Sequence, residues 1–519
     1  MITKGIIKKG EYFDSVTLMI VSRKLSGLDG VIDSSIVMGT AENKAILESA
    51  GLLIETFDGC SDTDLLVAIK AESQEKFENA LESLTEMLKD VRNKKDDSDD
   101  FHPVSLDGAL SMMPDANLAI ISIAGRYAAL EAEKALENGL HVMIFSDNVS
   151  IEDEKRLKEM GRDKNLLVMG PDCGTAIING IPLAFANVVE KGDIGIVAAS
   201  GTGLQEVSSV IAHVGAGISQ AIGTGGRDVK EYIGGIMFLE AMDALAEDKQ
   251  TKVIVLVSKP PHASVLQKIA EKIDTISKPI VAILIGGDMS VLREKGVYTA
   301  DTLEKCALIA SALSKGTDPD SVLDHLKARS SQLDKIAEKE MTCKEGRRFI
   351  RGLFSGGTLC DETQLILKNS LGDVYSNTPL NPAFKLKDIW KSVGHTIVDL
   401  GDDDFTVGRP HPMIDFSLRN RRIASESEDS ETAVILLDVV LGYGSNMDPA
   451  GELSSSIRKA RETAPGISII CSITGTAGDP QNRSYVEEEL TKAGAIVMPT
   501  NAAATQLAEK IILNCNRHL

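Results

Sequence analysis

Residues Ile194 to Asp228 read IGIVAASGTGLQEVSSVIAHVGAGISQAIGTGGRD, and this stretch decides the fold. It contains two apolar runs, and each of them breaks at small residues. A buried strand that turns into a helix at such residues directs free backbone N–H groups to one point, which suits an anion. Successive parallel strands open at the same edge of a sheet, where ligands bind. The sequence therefore predicts an α/β fold with an anion site formed by Ser200, Gly201, Thr202, Gly203, Gly223, Thr224, Gly225, Gly226 and Arg227. Glycines that only make the turn are the alternative.

The same pattern recurs later in the chain. Ile350 to Ile366, IRGLFSGGTLCDETQLI, repeats the order strand, Ser-Gly-Gly-Thr, helix of Ile194 to Val210. Further segments follow in the same order in both halves, which indicates a duplicated α/β module. The repeat predicts a second group of anion-binding residues at Ser355, Gly356, Gly357, Thr358, Gly444, Ser445 and Asn446.

Composition excludes several classes of function. A net charge of −21 over 519 residues argues against nucleic acid or an anionic membrane as a partner. The apolar runs are too short to span a membrane, and the first residues contain no apolar signal core. Seven scattered cysteines without a CxxC pair predict reduced thiols and a cytoplasmic location. Eight histidines without an HExxH cluster predict no metal site.

Pattern and composition divide the chain into five parts. They predict a small α+β domain, ferredoxin-like, at residues 1–92, a Rossmann-like domain at 104–190, a flavodoxin-like module at 191–316, a helical connector at 317–344 and a second flavodoxin-like module at 345–519. The charged segment VRNKKDDSDDFHP (91–103) marks the first boundary. We expect the small domain to serve assembly or to sense a ligand.

Three arginines are candidates for binding an anionic substrate. Arg126, Arg227 and Arg409 lie beside glycines at predicted strand ends or loops. A guanidinium group at such a position can bind a carboxylate or phosphate in bidentate fashion. An ordinary surface arginine is the equal alternative for Arg126. The sequence identifies no catalytic residue.

These motifs resemble those of succinyl-CoA synthetase. GPDCG (170–174), GDIGIVAASGTGLQEV, GISQAIGTGG and VIVLVS are similar to the α subunit, whereas VDLGDDDFTVGRPHPMIDF, AVILLDVVLGYGSNMDP and AIVMPTNAAATQLAEKII are similar to the carboxyl domain of the β subunit. The resemblance implies that 104–190 is of the CoA-binding type and that both modules are of the synthetase type. It also implies that Gly444 to Asn446 face the first module. The fused arrangement with a small amino-terminal domain resembles the FdrA family.

The chain departs from the synthetase where the chemistry of that enzyme takes place. The synthetase uses a phosphorylated histidine in a Gly-His-Ala-Gly segment, but here the matching strand ends at Ile285 to Asp288, and no histidine occurs between His262 and His325. The glutamate that supports this histidine would fall near Ser258 to Pro260 and is absent, as are the ATP-grasp portion and the first Gly-rich turn. We therefore expect no ATP site, no CoA site, no covalently bound cofactor and no autophosphorylation in this chain.

The resemblance leaves three interpretations of function. FdrA proteins imply a subunit of oxamate carbamoyltransferase, which interconverts oxalurate plus phosphate and oxamate plus carbamoyl phosphate in anaerobic allantoin breakdown. Such a chain would act in an oligomer with other subunits, would bind carbamoyl phosphate and oxamate, and would be linked to carbamate kinase. The first alternative is an ADP-forming acyl-CoA synthetase-like ligase subunit with a separate ATP-grasp partner. It requires a phosphorylatable histidine, for which His411 is the candidate, although His411 between two prolines also suits a structural turn. The second alternative is a non-catalytic scaffold or ligand sensor.

Overall fold

The structure is a computed structural model that describes residues 1–11, 13, 15–40, 43–44, 47–48, 51–96, 103, 105–340, 346–406 and 410–518. The chain forms two compact units. The first comprises Met1–Met113 with Phe405–Pro410, and the second comprises Pro114–Asp404 with His411–Leu519.

The first unit is a small α+β domain with an antiparallel sheet in the order β1-β3-β2. Its elements are β1 (Ile2–Lys8), α1 (Ser15–Ser26), β2 (Val31–Met38), a 3-10 turn (Glu55–Phe57), β3 (Leu65–Ala71), α2 (Gln74–Asp96) and α3 (Leu106–Met112). The central strand β3 is almost fully buried, and apolar residues of α2 at helical spacing, among them Phe77 and Leu84, belong to the same core.

The second unit begins with a three-stranded parallel sheet in the order β4-β5-β6. Its elements are β4 (Leu118–Ile121), α4 (Gly125–Glu137), β5 (His141–Ile144), α5 (Ile151–Asp163) and β6 (Val168–Met169).

A seven-stranded sheet follows, in the order β13-β12-β11-β9-β10-β7-β8. Its elements are β7 (Thr175–Ile178), β8 (Ile181–Ala184), β9 (Lys191–Ala198), α6 (Gly201–His213), β10 (Ile218–Gly223), α7 (Ile236–Glu247), β11 (Val253–Ser258), α8 (Ala263–Ile273), β12 (Ile280–Leu284), α9 (Ser290–Glu294), β13 (Tyr298–Thr299) and α10 (Leu303–Ser314). The β7–β8 hairpin pairs antiparallel with β10, at Ala221 and Ile177. It therefore belongs to this sheet, although the sequence places residues 175–184 in the preceding domain.

A long helix, α11 (Ser321–Lys339), leads to a six-stranded sheet in the order β15-β16-β14-β17-β18-β19. The elements after α11 are β14 (Phe349–Phe354), α12 (Gly357–Leu371), β15 (Val374–Tyr375), a 3-10 turn (Pro382–Phe384), β16 (His395–Asp399), α13 (Asp403–Thr406), α14 (Ser417–Glu428), β17 (Thr432–Val440), α15 (Pro449–Thr463), β18 (Ser468–Thr474), α16 (Arg483–Lys492), β19 (Ile496–Met498) and α17 (Asn501–His518). The order β16-β14-β17-β18-β19 repeats the order β10-β9-β11-β12-β13 of the first module. The predicted α/β multidomain class is therefore confirmed, and the duplication is visible in the topology.

The two modules share one hydrophobic core. Leu204 of α6, Leu303 of α10, Leu359 of α12 and Ala504 of α17 are all buried in the same cluster. Burial of this apolar surface fixes the four helices against one another, and with them the positions of their N-termini.

Two further expectations concern location and redox state. In the part of the chain that the structure describes, no helix is long and apolar enough to cross a membrane. Cys60, Cys173, Cys306, Cys360 and Cys471 are free thiols. Cys515 is disulfide-bonded, which differs from the expectation that every cysteine is reduced.

Candidate functional site

The N-termini of α6 and α12 meet where the modules pack together. Ser200 Oγ lies 2.5 Å from Thr358 Oγ1 and accepts a hydrogen bond of 3.1 Å from Gly203 N. A Cβ atom on Gly356 would lie 3.0 Å from Thr202 Cγ2, so a larger residue there would press against α6. The two predicted Gly-rich turns are thus neighbours, and we call their contact, Ser200 to Gly203 with Ser355 to Thr358, the junction.

The α6 side of the junction keeps unused hydrogen-bond donors. The first N–H groups of a helix have no partner within it, and the Ser200 side chain satisfies only that of Gly203. Gly201 is exposed, and a Cβ atom placed on it would have Thr175 Oγ1 as its nearest neighbour at 3.5 Å. The backbone of Gly201 and Thr202 can therefore receive an anion.

The turn on the α12 side is partly filled by a carboxylate of the chain itself. Asp438 accepts hydrogen bonds of 2.8 Å from both Ser355 N and Gly356 N. Arg419, fully buried, donates to Asp438 Oδ1 at 2.9 Å. The prediction that Ser355 and Gly356 bind an external anion is therefore corrected, because Asp438 already takes their N–H groups. Gly357 and Thr358, which begin α12, do not share this contact.

Three charged residues that the sequence analysis missed surround the start of α12. Lys259 follows β11, and its half-exposed Nζ lies 2.7 Å from Asp361 Oδ2. Asp399 ends β16 and is 8% exposed, and its Oδ1 accepts a 2.9 Å hydrogen bond from Gly401 N. Its Oδ2 faces Gly357, where a Cβ atom would lie only 2.5 Å away. The position of Lys259 and Asp399 at the ends of predicted strands was the available signal, whereas Asp361 lies within α12.

The electrostatics of this group favour proton exchange near neutral pH. Burial raises the pKa of Asp399 to about 7, against the opposing effects of the Gly401 N–H and of Lys259. Burial also raises the pKa of Asp361, although the Lys259 ammonium opposes it. For Lys259 burial acts to lower the pKa, but the carboxylate of Asp361 outweighs it and the pKa is raised. A cation and a carboxyl group that titrates near pH 7 therefore lie beside a helix N-terminus.

His411 lies close to the same turn. A Cβ atom on Gly401 would lie 2.7 Å from both His411 Nε2 and Ser355 O, which places the ring beside the second module's turn. Met413 N donates to His411 Nδ1 at 3.2 Å. Burial lowers the pKa of His411 to about 4, so the ring is neutral at physiological pH.

The second turn of the first module is tied to α5. Thr224 O accepts a 2.9 Å hydrogen bond from Lys158 Nζ, and Arg227 pairs with Glu154 at 2.8 Å. Lys158 also pairs with Asp228 at 2.9 Å, and both side chains are fully buried. These contacts engage Arg227 and the carbonyl oxygen of Thr224 but no N–H group of the turn, so the expectation that Gly223 to Gly226 bind an anion stays a prediction.

The remaining predicted residues are spread over the second unit. Gly444 packs against Phe185, and Asn446 Nδ2 donates to Ile414 O at 2.9 Å. Ser445, which lies between these two residues in the sequence, is buried. The loop at Gly444 therefore meets the segment after β8 of the seven-stranded sheet, whereas Thr358 contacts the N-terminus of α6.

Of the other two candidate arginines, the structure describes Arg126 alone. Arg126 begins α4 beside a different sheet, and its guanidinium lies over the Tyr127 ring, 4.9 Å from the centroid. Arg409 lies outside the described residues. No cluster of three His, Cys, Asp or Glu side chains that could hold a metal ion occurs among the residues that the structure describes.

Comparison with known proteins places these modules in a family. Family models match at residues 1–103 ("AllF, heavy metal-associated domain"), 189–286 ("CoA binding domain") and 353–511 ("CoA-ligase"). YahF of Escherichia coli (strain K12), described as uncharacterized, is 41% identical over 516 residues, which are 99% of each chain. The chain belongs to the YahF family.

More distant relatives of this YahF-family chain are subunits of CoA ligases. Succinate–CoA ligase [ADP-forming] subunit alpha 2 of Archaeoglobus fulgidus is 27% identical over 223 residues, which are 40% of this chain and 76% of that protein. The ADP-forming sulfoacetate-CoA ligase subunit SqwL of Acholeplasma sp is 28% identical over 162 residues, 30% of this chain and 53% of that protein.

These matches support the resemblance to succinyl-CoA synthetase and correct the main functional prediction. The model at residues 353–511 is described as a CoA-ligase, that at 189–286 as a CoA binding domain, and the two relatives as subunits of ADP-forming CoA ligases, so the prediction of a carbamoyltransferase subunit is wrong. The CoA-binding model matches the first module, whereas the sequence analysis assigned the CoA-binding type to residues 104–190.

Proposed function

We propose that this chain is a subunit of an ADP-forming acyl-CoA ligase and that the junction handles the phosphoryl group of its reaction. Such a ligase joins a small carboxylic acid to CoA at the expense of ATP. The names of the relatives, succinate–CoA and sulfoacetate–CoA ligase subunits, support small anionic acids as the substrate class. On the motifs quoted above, we also propose that the chain belongs to the FdrA family. We do not propose carbamoyl transfer as its reaction.

One observation carries the proposal: a lysine of the first module lies at the N-terminus of a helix of the second. Lys259 Nζ would lie 3.9 Å from a Cβ atom on Gly357, the first residue of α12. The ammonium group and the N–H groups of Gly357 and Thr358 together can stabilise the negative charge on a transferring phosphoryl group. Gly201 and Thr202 provide a second set of donors on the other side of the Ser200–Thr358 contact.

We further propose that ATP and CoA are bound by a partner chain. The chain lacks the ATP-grasp portion that the resemblance would require. The first Gly-rich βα turn, which the resemblance assigns to CoA, has no counterpart in this sequence either. The relatives named as ligase subunits support an assembly of several chains.

The test is acyl-CoA synthesis by the chain alone and together with an ATP-grasp partner. The assay supplies ATP, CoA and a panel of small dicarboxylic and sulfonated acids, and it measures ADP and the thioester. We expect synthesis only by the complex, with loss of activity in Lys259→Met. Synthesis by the lone chain would contradict the proposal of a partner. A complex that forms no thioester from any acid of the panel would contradict the ligase.

A further inference from the structure

The junction contains a carboxylate in a position suited to nucleophilic attack. Asp399 ends β16 at the carboxyl edge of the second sheet, next to Phe354 of β14. Its Oδ1 is held by Gly401 N, and among the described residues no group donates a hydrogen bond to its Oδ2. The side chain is more than nine-tenths buried, and this unpartnered oxygen faces Gly357. An acceptor oxygen without a protein donor, beside a lysine and a helix N-terminus, is available to a ligand.

We propose that Asp399 is the phosphoryl acceptor of this chain and that it replaces the histidine that the synthetase uses. The inference rests on the proposed function and names the residue that carries the phosphoryl group. Carboxylates form covalent phosphoryl intermediates in other enzymes when positive groups neutralise the phosphate. Here Lys259 and the N-terminus of α12 provide that neutralisation.

The neighbouring candidates are less suited to this role. Asp361 is held in an ion pair with Lys259 at 2.7 Å. In His411 the hydrogen bond from Met413 N occupies the Nδ1 lone pair, so the proton of the neutral ring lies on Nε2. Neither His411 nitrogen then presents a lone pair toward the junction. Asp399 Oδ2 is the acceptor that the geometry leaves open.

The step balances without a further reactant. Asp399 Oδ2 attacks the phosphorus of an acyl phosphate, and a new O–P bond forms. The bond between phosphorus and the acyl oxygen breaks, and the departing carboxylate keeps the electron pair. Both the donor and the product are acyl phosphates, so the exchange is close to thermoneutral and runs in either direction. Ionised Asp399 needs to lose no proton in this step.

Gly357 is a positioning residue for this carboxylate. It adopts ordinary helical backbone, yet any side chain there would displace Asp399 Oδ2, because a Cβ atom would lie 2.5 Å from it. We therefore expect Gly357→Ala to move the carboxylate away from α12 and to reduce phosphoryl transfer while the protein stays folded.

The experiment uses the full chain and acetyl [32P]phosphate as the probe, at pH 8. We expect stable incorporation of label that hydroxylamine removes, since acyl phosphates react with it. Reduction with borohydride followed by peptide mass spectrometry should place the modification at residue 399. Asp399→Asn should lose the label and Gly357→Ala should reduce it, whereas the nearby exposed carboxylate variant Asp403→Asn should keep it.

Two results of the labelling experiment would overturn the inference. One is a hydroxylamine-resistant, acid-labile label that maps to His411, which would leave the proposed ligase intact. The other is the absence of label on wild-type protein that binds inorganic phosphate. The ligase assay distinguishes failure of this inference from failure of the proposed function. Acyl-CoA synthesis by a complex containing Asp399→Asn would exclude Asp399 as the acceptor and still establish the ligase.

Discussion

At the scale of single residues, the junction depends on glycines at two positions where side chains would have different effects. Gly203 faces the other module, and a Cβ atom there would lie 2.6 Å from Ser200 Oγ and 3.1 Å from Thr358 Cγ2. Gly201 faces open space, with its nearest neighbour 3.5 Å away. The two glycines of this turn therefore differ, because only Gly203 is required for the packing of the modules.

Substitution of these two glycines by alanine should separate the two roles. Gly201→Ala should keep the melting temperature and weaken the binding of a small anion at the α6 N-terminus. Gly203→Ala should lower the melting temperature, because it forces Ser200 and Thr358 apart. Thermal unfolding and calorimetric titration with phosphate check both. Equal destabilisation by both variants would mean that Gly201 is packed, contrary to the structure.

The carboxyl group of Asp399 should make stability depend on pH. Its pKa rises on folding from the ordinary 3.8 to about 7 through burial, with Lys259, Asp361 and Asp402 also acting on it. A group whose folded pKa is raised contributes stability at low pH, and that contribution is lost as pH increases from about 4 to about 7. Asp399→Asn should therefore become more stable than wild type as the pH increases, by at most about 4 kcal/mol. Urea unfolding at pH 5 and pH 8 tests this, and a difference that shrinks between them would contradict it.

At the scale of elements, each module caps a helix of the other. Glu206 of α6 accepts a hydrogen bond from Asn501 N at the start of α17, and Glu362 of α12 accepts one from Leu303 N at the start of α10. The two contacts are 3.0 and 2.7 Å long, and both glutamates occupy the same position in their helices. A carboxylate or carboxyl group at a helix N-terminus satisfies donors that the helix leaves unpaired. Because the two modules are duplicates, equivalent glutamates fix the position of each module against the other at the junction.

Removal of one of these caps should lower the free energy of unfolding, whereas an isosteric substitution should not. Glu362→Ala leaves the N–H of Leu303 unsatisfied and should cost about 1–3 kcal/mol. Burial raises the pKa of Glu362 to about 8, so it is largely protonated at pH 7. Glu362→Gln should therefore match wild type at pH 6 and exceed it at pH 9, where the buried wild-type carboxyl group must ionise. Chemical unfolding at both pH values measures this, and a Gln variant less stable at pH 9 would refute it.

The sequence predicted strands and helices well, but it predicted individual residues of the site less well. Apolar runs that end at Ser-Gly motifs identified β9, β14 and the helices after them, since a buried strand and a tight turn impose local patterns. Lys259 and Asp399 were missed because single charged residues at strand ends carry no local pattern. Their meeting depends on the packing of two modules that are far apart in the chain.

At the scale of the whole molecule, the two modules act as one body within the second unit. Their helices α6, α10, α12 and α17 contribute to a single hydrophobic core, and Lys259 of one module pairs with Asp361 in the first turns of α12 of the other. Self-similarity of the sequence indicated two modules, but it did not indicate that they share a core. The boundary near residue 190 was also placed too late, because the β7–β8 hairpin pairs with a strand that comes after it in sequence.

We expect the two modules to unfold together. A continuous core makes separation of the modules expose apolar surface in both, so neither should be stable alone. Differential scanning calorimetry with hydrogen exchange should show one transition that includes residues 191–316 and 346–518. Separate transitions for these two segments would show that each module has an independent core.

The most direct test of the central claim is calorimetric titration of inorganic phosphate into the full chain and into Lys259→Met. We predict that wild-type protein binds phosphate and that Lys259→Met loses this binding while the protein stays folded, with a lower melting temperature because the buried Asp361 loses its ion-pair partner. Equal phosphate binding by both proteins would contradict the assignment of the junction as the phosphoryl site.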